Sequence, residues 1–155
     1  MIKKITIVAG ISIMLLATAC KTKDLKMSAD KKETVSDKKV VVYQVFTRLF
    51  GNTNTNNKPW GTIEENGVGK FNDFTDKALH EIKDLGVSHI WYTGVPHHAL
   101  IHDYTAIGIS NDDPEVVKGR AGSPYAVKDY YNVNPDLAVN PANRLKEFEA
   151  LIKRT

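Results

Sequence analysis

The stretch Val40-Val41-Val42-Tyr43-Gln44-Val45-Phe46 constrains the fold more than any other part of the chain. Nearly every residue in it is apolar and either β-branched or aromatic, and the pattern does not alternate. Such a run suits a strand buried on both faces, as in a parallel sheet covered by helices. A second run, Val87-Ser88-His89-Ile90-Trp91-Tyr92-Thr93, is closed by Gly94 and Pro96 and places Trp91 in the core. Between the two, Phe74, Ala78, Ile82 and Leu85 share one face of a helix expected over residues 74–85. Thr75 is its expected N-cap, Asp76 favours the positive end of its dipole, and Gly86 stands where a C′ glycine belongs.

Insertions follow the strands and not the helices. Gly51 to Gly61 is rich in Asn, Thr, Gly and Pro and reads as a long loop. Gly67-Val68-Gly69-Lys70 lacks the spacing of a phosphate loop and reads as a turn. Val95 to Val139 is longer than an ordinary strand-to-helix connection, and loops of that length are usually functional. Asn140-Pro141 then opens a last helix, with Leu145, Phe148 and Ile152 as its apolar stripe. The order strand, helix, strand, loop, helix gives an α/β chain that repeats one plan twice. A complete (β/α)₈ barrel needs ~250 residues, so 155 residues hold only part of one.

The formal charge of +3 is too small for a nucleic-acid binder. The lysine excess also lies ahead of Val40. Met1-Ile2-Lys3-Lys4 is a positive n-region, Ile5 to Leu16 is apolar, and Ala17-Thr18-Ala19 supplies small residues for cleavage. This is the make-up of an export signal, over residues 1–19, and the apolar run is short for a membrane span. Cys20 follows directly and is the only cysteine, which excludes an internal disulfide. Leu16-Ala17-Thr18-Ala19-Cys20 resembles a bacterial lipoprotein box, in which the cysteine is acylated and anchors the protein without spanning the bilayer. The bland alternative is a cleaved signal followed by an incidental cysteine. Residues 20–39 are rich in Lys, Asp, Ser and Thr and form a flexible tether, or less simply a patch for anionic lipid. The chain is thus expected to be exported and membrane-anchored, on the periplasmic or cell-surface side.

Three motifs within residues 40–155 carry a family resemblance. Val42-Tyr43-Gln44-Val45-Phe46-Thr47-Arg48-Leu49-Phe50 resembles the first barrel strand of the α-amylase family, glycoside hydrolase family 13. Leu85-Gly86-Val87-Ser88-His89-Ile90-Trp91-Tyr92-Thr93-Gly94-Val95 is similar to that family's first helix end and second strand. Ser123-Pro124-Tyr125-Ala126-Val127-Lys128-Asp129-Tyr130-Tyr131-Asn132-Val133-Asn134-Pro135 resembles the Gly-Tyr…Asp-Tyr-Tyr segment of the second βα loop. Residues 143–152 are similar to the helix after it. The resemblance implies the first two βα units of a (β/α)₈ TIM barrel, and a parent enzyme that cleaves α-1,4-glucans with retention through a glycosyl intermediate. It implies Tyr125 in the subsite for the sugar at the cleaved bond and Asp129 as a brace for that loop. The family's catalytic carboxylates lie on its fourth, fifth and seventh strands, beyond these residues. Its calcium ligands are mostly further on too, so no cofactor is expected here and calcium belongs to a complete enzyme. A trehalose-forming or branching transglycosylase shares the same two units. A non-catalytic, membrane-anchored lipoprotein that captures malto-oligosaccharide is the reading from another class.

Retaining hydrolysis needs two carboxyl groups about 5–5.5 Å apart. Asp103, Asp112, Asp113, Glu115, Asp129 and Asp136 all fall in loop sequence, and all but Asp129 read as solvated or turn-forming acids. Tyr125 can stack on the C–H face of a sugar while its hydroxyl hydrogen-bonds. His97, His98 and His102 with Asp103 fit surface histidines, a polar lining near a substrate cleft, or least readily a metal set, since zinc needs three or four converging ligands. Trp60, in a loop, is open as a carbohydrate platform. Two parallel strands by themselves leave apolar faces and edges uncovered, so the 155 residues alone are expected to fold poorly and to be inactive. Metabolic labelling with palmitate is expected to mark the chain, and Cys20→Ser to abolish both the label and partition into the detergent phase. The purified chain is expected to release no reducing sugar from starch.

Overall fold

The first strand, β1 (Val42–Phe46), pairs in parallel with β2 (His89–Thr93), Val42 opposite His89 through to Phe46 opposite Thr93. A computed structural model describes residues 39–155. The export signal, Cys20 and nearly all of the tether lie outside the described residues. The path from β1 to β2 runs through a short helix α1 (Ile63–Asn66), a 3₁₀ turn at Phe71–Asp73 and the helix α2 (Asp76–Asp84). Thr75 caps α2 as its side chain predicts, accepting from the backbone N–H of Ala78 at 3.2 Å. Gly86 takes φ +83° just beyond the helix, where a Cβ would be strained. Thr62-Ile63-Glu64-Glu65 is a capping box, with Thr62 accepting from Glu65 N–H and Glu65 accepting from Thr62 N–H. Its sequence signal was present, and the expected loop had to end there.

Pleating sorts β1 and β2 into two faces. Tyr43, Val45, Ile90 and Tyr92 pack against a core of Phe71, Phe74, Leu79, Leu137 and Leu151. Phe50 stacks on Phe74 at 4.0 Å between ring centroids, and Tyr92 meets Phe74 edge-on at 5.0 Å. The opposite face stays open, with Val42, Phe46 and Trp91 exposed. This corrects two expectations: β1 is buried on one face only, and Trp91, 56% exposed, is not a core residue. A continuous core lies behind that face.

The helical stripes shift as well. In α2 the buried positions are Leu79 and Ile82, while Leu85 lies beyond the helix and is exposed. The last helix begins with a 3₁₀ turn, Pro141–Asn143, capped by Asn140, whose side chain accepts from Ala142 N–H. The regular helix α3 (Arg144–Arg154) buries Leu151 and half-buries Phe148, but Leu145 and Ile152 face outward. The Arg154 guanidinium ties α3 to the turn before α2, donating to the carbonyls of Phe74 (3.1 Å) and Phe71 (2.9 Å). Residues 95–139 are not one loop. They hold β3 (Pro96–His98) and β4 (Val127–Val133), paired antiparallel with an irregular register, and 3₁₀ turns at Thr105–Ile107 and Pro135–Leu137.

Gly69 sits where the chain returns beneath the end of β1. Its N–H donates to Arg48 O at 2.7 Å, and a Cβ there would lie 2.1 Å from Phe50 O. Gly69→Ala therefore pushes backbone against backbone, and urea unfolding is expected to show a loss of about 1–3 kcal/mol. Leu151→Ala, which opens a cavity in the core, is expected to cost about 2–5 kcal/mol.

Candidate functional site

Asp136 ends up almost fully buried, 2% exposed, inside the 3₁₀ turn after β4. A carboxylate is costly to bury unless charge and hydrogen bonds meet it. Here Arg48 Nη1, just past the end of β1, lies 2.6 Å from Oδ2. Tyr104 donates its hydroxyl to Oδ1 at 2.7 Å, and His102 Nδ1 lies 3.4 Å from the same oxygen. Lys70 Nζ donates to the Asp136 carbonyl at 2.6 Å, and Asp136 N–H donates to Asn134 Oδ1. Burial, and then the adjoining Asp136 charge, push the Tyr104 phenol well above its ordinary range, so it remains a donor. Burial lowers the Lys70 ammonium, opposed by Asp136. The imidazole of His102 stacks on Tyr104 at 4.4 Å.

Arg48, His102 and Asp136 of this network form the floor of a cleft of about 480 Å³. Its walls are residues 61–64 at the start of α1, residues 100–103 after β3, and Asn111, Asp112, Pro114 and Arg120. Asp112 is held by Lys128 Nζ at 2.8 Å and accepts from Leu100 N–H. Burial raises that carboxyl, but the Lys128 and Leu100 hydrogen bonds outweigh it and leave the group low. Asp103 Oδ1 accepts from both Thr105 N–H and Thr105 Oγ1, and Asp113 accepts from Glu115 N–H. Those two are turn-formers, as expected. Asp136 is not: both of its oxygens are committed to Arg48 and Tyr104, so it braces the cleft and is no free acid or nucleophile.

The residues singled out from the sequence are distributed differently. Tyr125 lies in the turn into β4 and is 82% exposed, and its N–H reaches Ser123 Oγ at 3.4 Å. That turn leans over the end of β2, where Pro124 Cβ stands 3.4 Å from the position of a Cβ on Gly94. Asp129 falls in β4, not in a loop, and accepts from Tyr131 N–H at 2.9 Å. Neither lines the cleft. His97 and His98 are buried and are not surface histidines. His98 is held by Ala121 O and Pro96 O. His97 Nε2 and Thr47 Oγ1 are buried without a hydrogen-bond partner among the described residues. Only His102 reaches the cleft. Among the described residues no group of three or more His, Cys, Asp or Glu gathers as a metal ion requires. The carboxylates nearest the cleft floor are taken by Arg48, Tyr104 and Lys128, so these residues do not fit a calcium ion.

No protein-family model, no curated protein and no solved structure matches the chain.

Removing one member of the buried pair leaves the other charge uncompensated. Asp136→Ala is expected to cost about 3–5 kcal/mol in urea unfolding, and Arg48→Met with Asp136→Leu together less than the sum of the single losses. Burial, then the Lys128 charge, lower the His97 pKa below its ordinary value of about 6.5. The unfolded chain therefore takes up a proton that the fold refuses as pH falls through about 6.5. Stability is expected to be full above that pH and to drop toward pH 5, and His97→Leu to flatten this part of the profile.

Proposed function

We propose that the chain is the N-terminal part of an α-amylase-family glycoside hydrolase that acts on α-1,4-glucans, exported and held at a membrane through an acylated Cys20. One observation carries this reading. β1 and β2 run parallel through α2, and both the cleft and the Tyr125 turn lie beyond the ends of those two strands. In parallel α/β folds and barrels, ligands bind at the carboxyl ends of the strands. The open apolar face of β1 and β2, with Val42, Phe46 and Trp91, is the kind of surface that further βα units cover in a barrel.

In this reading the described residues bind and orient sugar and do not break the bond. Tyr125 offers an exposed ring to the apolar face of a glucose unit and a hydroxyl for its oxygens. Asp129 fixes the backbone at Tyr131 and so keeps the strand after that turn in place. The nucleophile and the general acid would be carboxyl groups from elsewhere in the enzyme. A non-catalytic glucan-capturing lipoprotein is the second reading, favoured by the commitment of Asp136 and Asp112 to ion pairs.

Calorimetric titration with maltoheptaose tests the proposal. Saturable binding is expected, weakened about tenfold in Tyr125→Ala, which corresponds to a stacking contribution of about 1.4 kcal/mol. A folded chain that binds no malto-oligosaccharide overturns both readings. Saturable sugar release from starch by the chain alone would overturn the assignment of the chemistry to other residues.

A further inference from the structure

Trp60 adopts φ +55°, a left-handed backbone that a bulky aromatic residue rarely takes. Such strain persists only where the surroundings over-determine it. The surroundings do so here. Arg120 Nε, 60 residues away in sequence, donates to Trp60 O at 2.8 Å. Gly61 N–H closes the turn onto Lys58 O, and Asn66 holds Lys58 from both sides through its amide. Lys58 is also ion-paired with Glu65 of α1.

A core tryptophan would offset strain by burying its ring. Trp60 does the opposite: its backbone is pinned and the residue is 58% exposed. The residues directly after it, Gly61 and Thr62, line the cleft, and so does the Arg120 that holds its carbonyl. The turn is thus the rim of the cleft. Behind the rim the polar groups carry both signs, Arg120 against Glu64 and Asp103, and the Arg48 charge is already matched by Asp136. An anion would meet more acids than arginines. A neutral ligand whose groups both donate and accept suits such a wall, and hydroxyl groups do both.

We propose that Trp60 is an aromatic platform for a sugar ring at the mouth of this cleft, a carbohydrate contact separate from the Tyr125 turn. The inference rests on the glucan reading and extends it to a second place on the surface. The ring lies on the indole, and the hydroxyl groups turn toward Arg120 and the carboxylates of the wall.

The chain has two tryptophans, so Trp91→Phe leaves Trp60 as the only indole reporter. Maltoheptaose titrated into the full chain with this substitution is expected to shift the emission to the blue and to protect it from acrylamide. The calorimetric affinity is expected to fall about tenfold in Trp60→Gly and to change little in Trp60→Phe. Glycine takes the left-handed backbone without strain, so Trp60→Gly is expected to melt at or above the parent temperature while losing affinity. Saccharide binding with unchanged emission, unchanged quenching and full affinity in Trp60→Gly overturns this proposal and leaves the glucan function standing. A cooperatively melting chain that binds no malto-oligosaccharide overturns both. A Trp60→Gly chain that melts lower yet keeps its affinity makes Trp60 a fold residue and overturns the proposal as well.

Discussion

The buried carboxylate of Asp136 is where the separate parts of the chain are made to agree. Arg48 arrives from the end of β1, Tyr104 from the segment between β3 and β4, and Lys70 from the turn before α2. None of these groups satisfies itself locally. Each is drawn inward because a lone charge at that depth is intolerable, and each brings its own stretch of backbone along. The result is a single polar knot beside an apolar core, and the knot determines how the loops after the strands lie. The cleft exists because the knot fills its floor and leaves the space above open.

Local rules were legible in the sequence and long-range side-chain pairings were not. The Thr75 cap, the Gly86 terminus and the Asn140-Pro141 start are each decided by a few adjacent residues, and they stand where those residues put them. The burial of Trp91 depended on what covers the far side of β1 and β2, which the strand's own composition cannot say. The same limit moved Leu145 and Ile152 outward on α3. Asp136 was misjudged because Asn134-Pro135-Asp136 reads as a turn, and it is one. What makes it the centre of a site is a partner 88 residues away, and no spacing rule reports that. Trp60 left a clearer trace: a large aromatic residue among Asn, Pro and Gly has no local reason to be there.

In the proposed glucan reading, carbohydrate recognition joins these observations. Tyr125 and Trp60 are both large rings held in turns and turned to solvent. Sugars need flat apolar surfaces and dense hydrogen bonding at once, and in that reading the Trp60 rim of the cleft offers both while the Tyr125 turn stands apart from it. The residues described here supply shape and polarity. In the glucan reading, bond cleavage belongs to carboxyl groups outside them.

The make-up of the cleft floor has one more consequence. An arginine keeps its proton in any ordinary medium. The Tyr104 phenol is held so far toward its protonated form that alkali within the physiological range does not remove it. The two donors that grip the Asp136 carboxylate, Arg48 and Tyr104, are therefore in place from folding onward and are not given up when the medium turns alkaline. The carboxylate beneath the cleft is thus held by donors that do not come and go with alkali.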